Sequence, residues 1–247
     1  MALLLIGLAS DCLAEEKPVF GAVENTPPYV FEKDGRLTGI AIDIFAEIQK
    51  RANFSAVVEA LPAKRMIRLG TSGVNDGFLQ IYFDESRKSV FYSSIPGYSS
   101  PHCIFIKKGN EQYFAGSRLE NLNGKKVGWN RGYRLTPEMA EAVQNNKFFL
   151  EVTGKTEQNL KKLVSGRIDC YINNYFATLF VIKNMNLQES ISFLPAPFYP
   201  SKGTYIAIAK KGKRITDKQL FMKNLNQALE SIYKDGTADR IIKKYIN

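Results

Sequence analysis

The sequence holds one histidine, His102, and three cysteines, at positions 12, 103 and 170. These residue types bind transition metals and act as nucleophiles, but no Cys-x-x-Cys and no His-x-x-x-His pair occurs, so we expect no zinc site. Cys103 and Cys170 lie in apolar runs typical of strands, which favours two buried, unpaired thiols over a disulfide. The sequence therefore predicts a protein without a metal ion, cofactor or catalytic centre.

The chain is basic, with 34 Lys and Arg against 24 Asp and Glu, a formal charge of +10. A basic balance raises the question of nucleic acid. The lysines form isolated doublets, such as Lys107-Lys108 and Lys161-Lys162, rather than one dense patch. We therefore expect no nucleic-acid partner, and a solvated basic surface that attracts anionic ligands from a distance.

The first residues form an apolar run, MALLLIGL, followed by small and polar residues up to Ala14. This pattern predicts a signal peptide over residues 1–14, cleaved after Ala14. The run is too short to span a bilayer. We therefore expect a secreted, periplasmic protein.

Apolar periodicity predicts two successive α/β units. Alternation of strands with helices implies right-handed crossovers and parallel sheets. Two such sheets that face each other leave a cleft at their interface, where small molecules bind. The predicted strands are 19–23, 55–61, 76–83, 102–107, 125–129, 149–152 and 204–209, with a hairpin at 31–37 and a segment, 166–172, that turns into a further strand. The predicted helices are 40–53, 63–69, 137–145, 156–164 and 178–183, with one or two more within 217–245.

Motifs spread over the whole mature chain resemble one family. A proline-aromatic turn leads into a hairpin and helix in PPYVFEKDGRLTGIAIDIFAEI, and a helix–Gly–x–x–Asp–strand element occurs twice, in LGTSGVNDGF and LVSGRIDCYINN. LNGKKVGWNRG matches the opening strand of a second lobe, and LNQALESIYKDGTADRIIKKYI matches a C-terminal helix pair. In this order and spacing they resemble the amino-acid-type (family 3) solute-binding proteins of ABC transporters.

The resemblance implies a two-lobed, type II periplasmic-binding-protein fold, in which each lobe is a mixed, mostly parallel sheet flanked by helices. Lobe 1 would comprise 15–103 and 204–247, and lobe 2 would comprise 104–203. Two hinge strands, near Cys103 and Thr204, would allow closure around a ligand. It further implies a monomer that captures a small polar or anionic solute, delivers it to a membrane permease and catalyses nothing.

The resemblance also implies ligand-binding residues in lobe 1. Arg87, in FDESRKSVFYSS, matches the arginine that clamps the ligand carboxylate in the family, with one residue fewer before the following aromatic-Ser pair. Glu24 and Tyr29 flank the first turn, where the family offers an acidic or polar group and an aromatic lid. Arg65 follows Ala63, which replaces a common aromatic residue.

In lobe 2 the sequence departs from the family pattern. The family holds a carboxylate at a helix N-terminus with Gly followed by Thr or Ser, but here Gly132 has Arg131 before it and Arg134 after it. Asn174 stands where amino-acid binders usually carry an acidic residue that pairs with the ligand ammonium. These changes predict an anionic or less cationic ligand.

Two alternative functions stay open on the sequence. The same fold serves as the ligand-sensing module of some membrane receptors. Some members act as dehydratases on cyclic acids, for which Glu24 would supply the acid.

Overall fold

The computed structural model describes residues 16–82, 85–199 and 203–247. Within them lie two five-stranded sheets and one hairpin. The first sheet has the order β4-β1-β5-β12-β6, and β12 runs against the other four strands. Its strands are β1 (Val19–Val23), β4 (Val57–Leu61), β5 (Gly77–Ile81), β6 (Phe91–Ser93) and β12 (Tyr205–Ala209).

The second sheet has the order β11-β7-β10-β8-β9, and here β7 runs against the other four strands. Both sheets are thus mixed and mostly parallel, as predicted. Helices cover both faces of each sheet, so the side chains of a central strand are buried on both sides. The central strands are therefore nearly continuous apolar runs. The strands are β7 (His102–Lys107), β8 (Lys126–Asn130), β9 (Phe149–Thr153), β10 (Cys170–Asn174) and β11 (Ile191–Phe193).

Helices flank both sheets, and the hairpin of β2 (Phe31–Lys33) and β3 (Arg36–Thr38) turns at Asp34-Gly35, as predicted. Its turn needs left-handed backbone, which Asp34 and Gly35 supply at φ 52° and 71°. The helices are α1 (Ile40–Arg51), α2 (Ala63–Ser72), α3 (Pro137–Gln144), α4 (Thr156–Val164), α5 (Tyr175–Asn184), α6 (Lys218–Lys234) and α7 (Thr237–Ile246). None of the helices in the described ranges is both long and apolar enough to cross a bilayer.

Helix α5 joins the two halves of the molecule. Phe176 and Phe180 pack against the core of the first sheet, whereas Leu179 and Ile182 pack in a core of the second. A helix that is covered on several sides is apolar all round. Periodicity therefore indicated only residues 178–183, while the helix begins at Tyr175, behind its N-cap Asn174.

The two three-residue edge strands β6 and β11 were not predicted, since three residues are too few to show an alternating pattern. The predicted signal peptide, residues 1–14, and Cys12 lie outside the described residues. The lobe boundaries at Cys103 and Thr204 stay a prediction. The chain passes from the first sheet to the second between β6 and β7, and it returns to the first sheet between β11 and β12.

Cys103 and Cys170 are both free and buried, as predicted. Cys103 lies opposite Asn173 in the β7–β10 pairing, and Cys170 lies opposite Ile106. The two thiols belong to different apolar clusters. Burial raises the pKa of Cys103 to about 11 and raises that of Cys170 further, so neither is a thiolate at neutral pH.

Gly70 allows α2 to lie against the first sheet, and its replacement tests that packing. A Cβ atom at Gly70 would overlap the ring of Phe78, which is fully buried. We expect Gly70→Ala to lower the free energy of unfolding by about 1–3 kcal/mol, although alanine is the better helix former. Gly154→Ala is the control, since a Cβ atom added there would have no neighbour within 4 Å and the φ of Gly154 is not left-handed. Urea denaturation of both variants measures the effect, and an unchanged Gly70→Ala would contradict it.

His102, at the start of β7, predicts a specific pH dependence. Burial lowers its pKa below the ordinary value of 6.5, so the unfolded chain binds this proton more readily than the folded one. The contribution of His102 to the free energy of unfolding is therefore present above about pH 6.5 and decreases as the pH drops below that value. His102 is the only histidine in the sequence. We expect urea denaturation to show that the free energy of unfolding decreases between pH 7.5 and 5.5, and that this decrease is smaller in His102→Gln. Identical pH profiles of the wild type and the variant would show that His102 is not its cause.

Candidate ligand-binding cleft

A cavity of about 690 Å³ lies between the two sheets, at the C-terminal ends of β1, β5 and β10. In α/β proteins this is the edge where ligands bind. β7 runs in the opposite direction, so its first residue, His102, lies at the same edge. The lining residues are Val23, Asn25, Thr26, Pro27, Tyr29, Ala63, Met66, Ile67, Gln80, Ile81, Tyr82, Arg87, His102, Tyr133, Thr156, Glu157, Asn173, Asn174, Ala177 and Val181.

The side-chain oxygen of Asn174 collects three hydrogen bonds in this cleft. The hydroxyl of Tyr29 donates at 2.7 Å, the hydroxyl of Ser100 at 3.0 Å, and the backbone N–H of Ala177 at 3.0 Å. The last bond caps α5, which is the role Asn commonly takes at a helix start. Asn174 therefore links the turn after β1, the crossing segment 94–101 and the N-terminus of α5.

Tyr29 is held in place on its other side by Tyr98. The two rings stack with centroids 5.7 Å apart and planes 4° from parallel. Burial raises the pKa of Tyr29 far above its ordinary value of 10. Its hydroxyl therefore stays protonated at physiological pH and remains a donor to Asn174.

Charged groups are few in the cleft. Arg87, in a short 3-10 turn at Glu85–Arg87, is half-buried and lines it. Glu157, in the first turn of α4, also lines it but is exposed. Burial keeps His102 neutral near pH 7 by lowering its pKa. Among the described lining residues, Arg87 is thus the one with a positive charge and Glu157 the one with a negative charge.

The other arginines predicted to bind the ligand lie outside the described lining of this cleft. Arg65 is exposed on α2, although the next two residues line the cavity. Arg131 and Arg134 are exposed in the loop after β8. Their predicted anion-binding helix end lies at Pro137, where the hydroxyl of Thr136 already accepts from the backbone of Met139.

Glu24, at the end of β1, is likewise absent from the described lining. Its backbone N–H donates to Leu61 at 3.1 Å and so extends the β1–β4 pairing by one bond. Of the seven predicted residues, Tyr29, Arg87 and Asn174 thus come together in the cleft. Contact of any of the seven with a ligand stays a prediction.

The cleft also contains polar residues that sequence reasoning missed. Asn173 is 1% exposed, and its amide nitrogen donates to Thr178 at 3.0 Å and to Thr156 at 3.3 Å. The hydroxyl of Thr178 donates to the backbone oxygen of Asn174, so it can only accept a hydrogen bond from the side chain of Asn173. The atom of Asn173 that faces Thr178 must therefore be its amide nitrogen. The side-chain oxygen of Asn173 has no partner in the described part of the chain.

Gln80 is a further lining residue that was not predicted. It has a left-handed φ of 53° within β5, next to the place where the β5–β12 register shifts. Such backbone is uncommon for a residue other than glycine and is concentrated at functional sites. No sequence signal identifies a glutamine in this conformation.

A second depression, of about 890 Å³, lies on the outside of the molecule, between the β2–β3 hairpin, α5 and α7. Its volume is larger than that of the cleft, but none of the seven predicted residues lines it. The interlobe cavity, which brings together the carboxyl ends of strands from both sheets, is therefore the candidate binding site.

Comparisons with known proteins found similar sequences and similar solved structures. The probable amino-acid-binding protein YxeM of Bacillus subtilis (strain 168) is 22% identical over 92% of this chain and 83% of its own length. A probable histidine-binding protein of Campylobacter jejuni subsp. jejuni is 26% identical over 91% of this chain and 83% of its own. The chain is also similar in structure to substrate-binding domain 2 of Lactococcus lactis GlnP in its open conformation, with a TM-score of 0.72 and 19% identity over 94% of this chain and 96% of that one.

The similarity extends over almost the whole described chain. The solved structure therefore shares the overall fold of this chain. Residues 19–247 match the model of the bacterial extracellular solute-binding proteins, family 3. The chain belongs to this family and is a solute-binding protein.

Proposed function

We propose that this protein binds a small carboxylate-bearing solute in the interlobe cleft and delivers it to the permease of an ABC importer. Extracellular binding of a small molecule follows from the family. The finer points are part of the proposal: periplasmic location through the signal peptide 1–14, a monomeric state, no nucleic-acid partner and no catalysis. The observation that carries the ligand class is Arg87, the cationic side chain among the described lining residues.

The charge balance of the cleft supports an anionic or weakly cationic ligand. A ligand ammonium needs a nearby carboxylate, because a buried cation without one is costly. Glu157 is exposed, and Asn174 is neutral, with its side-chain oxygen already bonded to three donors. A ligand carboxylate beside Arg87 would have a group of opposite charge to pair with.

The names of the relatives favour an amino acid or a derivative of one. YxeM and the Campylobacter protein are named for amino acids and histidine, and an ancestral arginine-binding protein, solved with arginine, is 25% identical with a TM-score of 0.60. The solved arginine-binding protein and this chain share the fold. In this cleft Asn174 is neutral and few of the described lining residues are charged. We therefore propose a carboxylate whose amino group is absent, masked or exposed at the cleft mouth.

Binding rather than catalysis is supported by the location of Glu24. The dehydratase alternative requires this carboxyl as an acid in the cleft, but it does not belong to the described lining. Turnover of cyclic dehydratable acids would nevertheless contradict the proposal.

The general test is a thermal-shift screen with amino acids, deaminated carboxylates, dicarboxylates, sugar acids and polyamines. A ligand that binds only the folded state raises the melting temperature once its concentration exceeds Kd. Monocarboxylates should give the largest shifts. A response restricted to polyamines or to Lys and Arg would refute the proposed ligand class.

Arg87→Ala tests the carboxylate clamp. Loss of a bidentate charged pair should weaken binding of the carboxylate with the highest affinity in the screen by about 3 kcal/mol, which is about 100-fold in Kd as measured by calorimetry. Arg118→Ala removes the same charge from an exposed position outside the described lining, and it should change Kd less than threefold. Equal effects of the two variants would show that only the overall charge attracts the ligand.

Asn174→Asp tests the missing partner for an ammonium. The carboxylate can accept the same three hydrogen bonds and loses only the long bond, 3.4 Å, that the amide nitrogen donates to the backbone oxygen of Ser100, so the fold should persist. The substitution also adds a charge in the cleft. The ratio of affinities for an α-amino acid and its deaminated analogue should rise about tenfold, the value of one charge-assisted hydrogen bond. Asn184→Asp adds the same charge at the exposed end of α5 and is the matched control. A ratio that stays constant in Asn174→Asp would count against the proposed role of this position.

A further inference from the structure

Two large aromatic side chains are exposed inside the cleft, one from each half of the molecule. Tyr82 directly follows β5 of the first sheet and is 57% exposed. Tyr133 lies in the loop after β8 of the second sheet and is 45% exposed. Both line the same cavity. Neither ring contributes to the apolar core of its own lobe, so core packing does not explain them.

The side chains of Tyr82, Tyr133 and Tyr29 line the same cavity. Partial desolvation raises the pKa of Tyr82, and the phenol of Tyr133 raises it further. Both phenols also contribute to the raised pKa of Tyr29, which lies deeper in the cleft. Three tyrosine side chains thus surround one volume, and two of them expose much of their surface to it.

Tyr133 is held in a defined position. Its backbone oxygen accepts a hydrogen bond from the indole N–H of Trp129 at 3.1 Å, and the two rings meet edge to face with centroids 6.2 Å apart. Trp129 itself is buried in the core of the second sheet. A ring that is fixed before the ligand arrives loses little entropy on binding.

We propose that Tyr82 and Tyr133 stack on opposite faces of a planar group, so that the preferred solute is a carboxylate carrying an aromatic or conjugated ring. This inference rests on the proposed function, since Arg87 would hold the carboxylate while the rings hold the planar group. Tyrosine faces also attract quaternary ammonium groups. The ring is favoured here because Glu157, the carboxylate among the described lining residues, is exposed and would pair weakly with a cation.

Two probes isolate the contribution of the rings. 3-Phenylpropanoate and 3-cyclohexylpropanoate have the same carboxylate and the same number of carbons, but only the first has a flat π face. Aromatic stacking on two rings should make 3-phenylpropanoate bind about tenfold more tightly by calorimetry. Trp129 is the only tryptophan in the sequence and contacts Tyr133, so its fluorescence should change on binding.

Leucine variants identify the residues responsible. Tyr82→Leu and Tyr133→Leu keep an apolar side chain but remove the ring, and each should reduce the preference for the phenyl compound to less than about threefold. Tyr113→Leu is the matched control, since Tyr113 is 62% exposed but lies outside the described lining. An unchanged preference in both cleft variants would overturn the inference, as would equal affinity of the wild type for the two probes.

Additional ligands separate this inference from the proposed function. If succinate or glutamate binds through Arg87 and 3-phenylpropanoate does not, the aromatic clamp is wrong and the carboxylate proposal stands. If glycine betaine binds more tightly than 3-phenylpropanoate, the rings recognise a cation and the inference is overturned. If no carboxylate binds and Arg87→Ala has no effect on any ligand, both proposals fail.

Discussion

The structure of the cleft depends on one amide oxygen, that of Asn174. Its three donors come from the turn after β1, from the segment that crosses between the sheets and from the first turn of α5. These bonds fix where α5 begins, and with it the positions of Ala177 and Val181 in the cleft wall. Because the group is an amide rather than a carboxylate, it supplies this geometry without adding a negative charge to the site.

The remaining features of the cleft follow from the same arrangement. α5 packs against the cores of both sheets, so the width of the cavity is set by apolar packing as well as by hydrogen bonds. The buried amides and hydroxyls around Asn173 and Thr156 are hydrogen-bonded to one another and carry no charge. In such a neutral surrounding, Arg87, the one Lys or Arg among the described lining residues, and the exposed phenol rings are the features on which the proposals about the ligand rest.

Much of the fold was readable from local sequence. Asp34-Gly35 predicts the hairpin and Thr136-Pro137 predicts the start of α3, because each pair has backbone preferences that few other conformations satisfy. Helix α4 was predicted at its observed bounds, since its apolar residues face one side. Helix α5 was predicted only in part, because it is covered from two directions and has no polar face to define its period.

The cleft was less predictable, because side-chain direction depends on packing between distant segments. Arg65 and Arg134 have suitable chemistry but lie on exposed surfaces, whereas Tyr82 and Tyr133 carry no motif that separates them from core tyrosines. The sparse charge of the cleft also depends on where Glu24 and Glu157 lie, which composition does not reveal. Residue types therefore indicated the family, while the constellation facing the ligand required the tertiary structure.

The position of β12 has a consequence for how the chain folds. This strand comes from residues 205–209, after the whole second sheet in sequence, yet it lies between β5 and β6. The second sheet is continuous in sequence and has all of its strands once residue 193 has been synthesised. The first sheet cannot be completed until the last fifth of the chain, which contains β12, has been synthesised. Until then, the edge of β5 that later pairs with β12 is unpaired. Until β12 has been synthesised, this edge of β5 presents backbone groups that could pair with another chain.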